Sequence, residues 1–115
     1  MLPFQWADLH HFEPEEFNAP EQMQLSTLSK LDAARDVADI PFVVKNVKQF
    51  REGDDKSHGT GHGVDIEALT SQARYRIVSA AIAVGFNRIG IYDLHVHLDD
   101  WPAGPPQVIW IGLSR

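Results

Sequence analysis

The sequence predicts an α+β fold in one domain, with a mainly antiparallel sheet and two principal helices. Three observations predict it: two apolar stripes of helical period, a series of short Val- and Ile-rich segments, and connections too short for repeated helical crossovers. A chain of 115 residues lies within the single-domain range, so residues 1–115 are expected to share one core. An apolar fraction of 43% with a charged fraction of 23% is that of an ordinary globular chain.

The opening stretch from Leu9 to Pro20 mixes aromatic residues with a Pro14-Glu15-Glu16 helix-start signal. It predicts a loop and one short helical turn, packed by Phe12 and Phe17 and ended by Pro20. From about Gln24 to Asp39, Leu25, Leu28, Leu31, Ala34 and Ala38 recur at helical spacing, which predicts an amphipathic helix stopped by Pro41. The run PFVVKNVKQF is rich in Val and Phe and predicts one strand or a short strand pair.

Glycines at positions 59, 61 and 63 make SHGTGHGVDI a loop that leads into a short strand ending near Ile66. Ala73, Ile77, Ala80, Ala81 and Val84 form a second apolar stripe, predicting a helix over Ser71 to Val84. Thr70 or Ser71 can cap its start and Gly85 can close it. RIGIY and LHVHL then read as two strands near Asp93, and WPAGPP leads to a last strand, VIWIG.

A formal net charge of −6, with the few basic residues scattered, argues against a nucleic-acid surface. No stretch approaches the roughly 18 to 20 apolar residues of a membrane span. Met1 to Glu13 lacks a basic region followed by an apolar run, so the expectation is a chain made in the cytoplasm and staying soluble. A monomer is expected. The absence of cysteine excludes disulfides and thiolate metal sites, so any zinc must be held by His and carboxylate groups.

The segment with most chemistry follows from strand alternation. Asp93, His95, His97 and Asp99 share one face, while Leu94, Val96 and Leu98 share the other and are directed to the core. Ionisable groups in a row need partners if buried, and two His on one face is a metal-ligand spacing. The competing reading is a half-solvated strand with its polar residues outward. A second cluster, His58, His62 and Asp65, lies in the glycine-rich segment, where His58 and Asp65 stand at an H-x6-D spacing. By itself that cluster reads as a polar loop. Together the two clusters point to a three-ligand metal site with an open position for water. Asp93 and His95 are then the nearest candidates for the general base.

The run from Ser57 to Ile66, followed by GFNRIGIY over Gly85 to Tyr92 and HVHLD over His95 to Asp99, resembles the zinc D-Ala-D-Ala carboxypeptidase and L-alanyl-D-glutamate endopeptidase family. That family includes small phage endolysins, and Hedgehog signalling domains share its fold. FEPEEF over Phe12 to Phe17 and the Leu28, Leu31, Asp32, Arg35 helix are also similar, so the resemblance spans nearly the whole chain.

The resemblance implies a Hedgehog/DD-peptidase-like fold and a catalytic Zn2+ held by His58, Asp65 and His97. It further implies hydrolysis of a stem-peptide amide in peptidoglycan, and a phage-encoded or virion-associated route to the cell wall. Relatives carry an Arg before the zinc loop that holds the substrate or the developing oxyanion, and Arg51 or Lys48, the nearest cations, is the counterpart here. Relatives place an Asp or Glu three residues before the last zinc His, where this chain has Leu94, which leaves Asp93 and His95 as the base candidates. The alternative is a catalytically inactive relative that binds metal or peptide as a structural or assembly module. A barrel amidohydrolase, which also uses an HxH pair, needs about 250 residues.

The remaining polar and aromatic candidates have plain readings. His10 and His11 are expected to pack or face solvent, and His62 to line the cleft. Asp99 is expected to support the ligands, and Trp101 and Trp110 to wall the substrate or pack against the rim.

Overall fold

The computed structural model describes residues 6–45 and 61–112. Helix α1 (Leu25–Ala38) and helix α2 (Ser71–Val84) lie with a five-stranded sheet built from β1 (Val44–Lys45), β2 (Gly63–Glu67), β3 (Arg88–Ile91), β4 (His95–Asp99) and β5 (Val108–Ile111). The sheet order is β1-β2-β4-β3-β5, antiparallel at every junction except β3 with β5. The α+β class with a mainly antiparallel sheet is therefore observed.

The one parallel junction arises without a helical crossover. β4 runs antiparallel to β3, and the chain leaving it crosses the end of β3 through residues 100–107 to start β5 on the far side. Along the chain, β2, α2 and β3 form a split β-α-β unit into which the β3–β4 hairpin inserts its second strand.

The helix stripes face the core as their periods predict, except at Leu25 in the first turn of α1, which is 40% exposed. Leu28, Leu31, Ala34 and Ala38 of α1, with Ile77, Ala80 and Ala81 of α2, are buried in one core with Val64, Ile66, Ile89, Val96 and Leu98 of the sheet. These strand residues alternate with polar ones, so the helices cover one face of the sheet and the other carries the ionisable groups. Leu9, Phe12 and Phe17 close the core from the opening segment. Asp32 of α1 fastens that segment by accepting from the backbone N–H groups of His10 and His11.

Helix α2 is capped at Thr70, whose hydroxyl oxygen accepts from the Ala73 N–H at 3.0 Å, and closed by Gly85 at φ +107°. The opening segment makes the expected turn at Pro14–Glu16, beside the buried Phe12 and Phe17, and two more turns flank it. All three are 3-10 turns, Trp6–Asp8, Pro14–Glu16 and Pro20–Gln22. Pro20 starts the last of them, as its fixed φ suits a first helical position.

Candidate metal site on the polar face of the sheet

The sheet register arranges the polar face in three rows. The central row crosses the sheet as Lys45, Asp65, His97, Gly90 and Trp110. One flanking row holds Glu67 opposite His95, and the other holds Gly63, Asp99, Arg88 and Val108. Strand alternation thus delivers Asp65, His97 and Asp99 to one face, with Arg88 added from the neighbouring strand.

The centre of this face is a buried chain of charges. Asp65, His97, Asp99 and Arg88 are all buried, Asp99 completely. The His97 ring bridges two carboxylates, with Nδ1 at 3.0 Å from Asp65 Oδ1 and Nε2 at 2.6 Å from Asp99 Oδ2. Arg88 Nε donates to Asp99 Oδ1 at 2.7 Å, and the Trp101 N–H donates to the same oxygen at 3.1 Å. Two carboxylates are thereby matched by a guanidinium and an imidazolium, which is how a buried polar cluster avoids an uncompensated charge.

Burial disfavours the charged form of His97. The hydrogen bonds and negative charges of Asp65 and Asp99 outweigh it and push the imidazole up to about 9.

Aromatic rings frame the chain of charges. Trp110 lies 5.4 Å from the His97 ring, and its indole fits because Gly90 has no side chain: a Cβ there would stand 2.6 Å from the ring. Arg88 packs over both Trp101 and Trp110, 5.7 and 5.5 Å from their ring centres, and donates from Nη1 to the Pro105 carbonyl. Trp110 Nε1 donates to the Tyr92 hydroxyl, and Tyr92 stacks on His95 at 4.4 Å with 11° between planes.

The end of β4 is anchored to α1. Asp100 accepts from Thr27 Oγ1 at 2.6 Å and from Lys30 Nζ at 2.9 Å, and its N–H donates to the His62 carbonyl. Gly61, at φ +79°, is pressed against Gln22, and a Cβ there would overlap the Gln22 carbonyl oxygen. Its own carbonyl accepts from the Gln24 N–H. Glycine is needed at this approach for both reasons.

The expected site residues divide into three groups. Asp65 and His97 are together. His95 lies on their face, half-buried, while Asp93 is exposed in the β3–β4 turn, where its carbonyl accepts from Arg74. His58 and Arg51, with Lys48, lie outside the described residues. Leu94 does not reach the core: it is 54% exposed, because the turn takes up Asp93 and Leu94 before the alternation of β4 begins at His95.

Glu67, Lys45 and Arg88 were not singled out from the sequence. Glu67 shares the face with Asp65 by the same two-residue alternation and pairs with Lys45 at 3.2 Å. Applying alternation to GVDIE as well as to HVHLD would have found it. Arg88 is set beside Asp99 by hairpin register, which composition does not reveal.

Asp65 Oδ1 and His97 Nδ1 are an oxygen and a nitrogen of the types zinc uses, placed side by side by the pairing of β2 with β4. Among the described residues, no cluster of three or more such side chains completes a cage. The pair fits as two of three ligands. Comparison of the chain with protein-family models, curated proteins and solved structures finds no match.

Proposed function

We propose that this chain is a zinc-dependent peptidase, with Asp65, His97 and His58 as the metal ligands. The observation that carries the reading is the buried, in-register contact of Asp65 with His97, two residues 32 positions apart. Zinc held by three protein ligands lowers the pKa of a bound water and polarises a carbonyl.

The chain's own residues have separate tasks. Asp65 and His97 present donor atoms, and Asp99 holds the ring. His95 is the better placed of the two proton-transfer candidates, since it shares the face of His97 and has the Glu67 carboxylate opposite on β2. Lys45, in register with Asp65, adds a cation to that edge, beside the role proposed for Arg51. The substrate, a peptidoglycan stem peptide, follows from the resemblance of the Ser57–Ile66 and His95–Asp99 motifs to cell-wall peptidases.

A second reading, a metal- or peptide-binding relative without turnover, is favoured by one observation. Both ring nitrogens of His97 are already engaged by carboxylates, an arrangement that holds together as a structural ion network.

The deciding experiment measures zinc after dialysis in the wild type and in His58→Ala, Asp65→Ala and His97→Ala, and follows purified peptidoglycan by mass spectrometry. Zinc lost in the three variants, with new stem-peptide termini released by the wild type and not by His95→Ala, is the expected result. Unchanged zinc in all three variants refutes the metal reading. Bound zinc with intact peptidoglycan supports the second reading.

A further inference from the structure

The Asp99 carboxylate makes three hydrogen bonds. Oδ2 lies 2.6 Å from His97 Nε2, while Oδ1 accepts from both Arg88 Nε and the Trp101 N–H. Arg88 is itself held by the Pro105 carbonyl and by two indole faces. Neither group can turn without breaking several bonds in a buried setting.

We propose that Arg88 and Asp99 act as a positioning pair that keeps the proton of His97 on Nε2 and so reserves Nδ1, the nitrogen beside Asp65, for the metal. This rests on the metal reading of Asp65 and His97 given above. A neutral imidazole carries one proton, and the nitrogen that holds it is set by the partner of the other. Both carboxylates facing the ring can only accept. Asp99 is fixed by Arg88 and the Trp101 N–H, whereas Asp65 turns its oxygen to the metal on the metal reading, so the single proton of a metal-bound ring stays at Nε2. Arg88 fixes the other oxygen of this buried side chain through Nε, so the carboxyl group cannot turn away from the ring.

The arrangement predicts the outcome of an isosteric change. In Asp99→Asn, the two donors at Oδ1, Arg88 Nε and the Trp101 N–H, require the amide oxygen on their side. The amide NH2 then faces Nε2 and donates to it, which moves the ring proton to Nδ1 and blocks the metal-facing nitrogen. A side chain that merely supported the fold would affect stability without choosing a tautomer.

The test uses the full chain. Zinc affinity is measured by competition with a chromophoric chelator, and the His97 ring is read by long-range 15N NMR. Asp99→Asn is expected to bind zinc about ten- to a hundredfold more weakly than wild type, with the His97 proton on Nδ1. A folded Asp99→Asn protein with unchanged zinc affinity, or with its proton still on Nε2, overturns the proposal.

The zinc-loaded wild type gives a measurement that does not depend on the variant folding. A protonated Nε2 with a bare Nδ1 is expected, and the reverse overturns the pair's role. A wild type that takes up no zinc refutes the metal reading instead, while the tautomer in Asp99→Asn still decides for or against the positioning pair.

Discussion

Raising the pH of the metal-free protein should cost it much of its stability, through His97. The folded imidazole is pushed up to about 9, against an ordinary value of 6.5. The folded state therefore holds this proton more tightly than the unfolded chain does. The resulting stabilisation is fully present below pH 6.5 and is lost as the pH climbs through 9.

At about 1.4 kcal/mol for each tenfold ratio, the interval is worth on the order of 3 kcal/mol. That is a large part of the roughly 5–15 kcal/mol that holds a domain together. Urea unfolding in a chelating buffer between pH 6 and 9.5 should move the midpoint down by about 1–3 M, taking a slope of about 1–3 kcal/mol per molar. The His97 ring resonances, followed in the folded protein, should titrate near the upper end of that window. A midpoint that stays flat, or a ring that titrates below the ordinary histidine value, would show that Asp65 and Asp99 do not hold an imidazolium between them.

Two further outcomes concern the scaffold. Gly61→Ala should destabilise by about 2 kcal/mol or more in urea unfolding, because it adds a side chain at φ +79° and forces it into the Gln22 carbonyl. Thr70→Ala should cost about 1 kcal/mol in the same assay through loss of the cap on α2, with zinc content unchanged.

The fold was legible wherever a period was long enough to read. The α2 stripe placed both ends of that helix, with Gly85 closing it and the cap, open in the sequence between Thr70 and Ser71, falling to Thr70. The strands were legible as elements, but their order was not: nothing in the sequence of β4 says that it sits between β2 and β3. The Asp65 and His97 contact was anticipated from spacing and resemblance together, and depends on that order.

Leu94 shows where the pattern misleads. Alternation carries no marker of where a strand begins, so extending it two residues past His95 turned a solvent-facing turn residue into a core one. Arg88 and Glu67 were missed for a related reason. Their meaning comes from neighbours across the sheet, and single-strand reading has no view of register.

The insertion of β4 between β2 and β3 has a consequence for how the chain acquires its site. Arg88 and Asp99 are only 11 residues apart and face each other across one hairpin, so the pair can form as soon as that local unit closes. Asp65 must arrive from 32 residues away, after α2 has folded back and β2 has docked. Loop-closure entropy makes the distant pairing the later event. The Arg88–Asp99 half of the centre is thus expected to form before the Asp65–His97 contact. A folding intermediate with the hairpin formed and β2 undocked would hold His97 ready while having no partner to offer beside it.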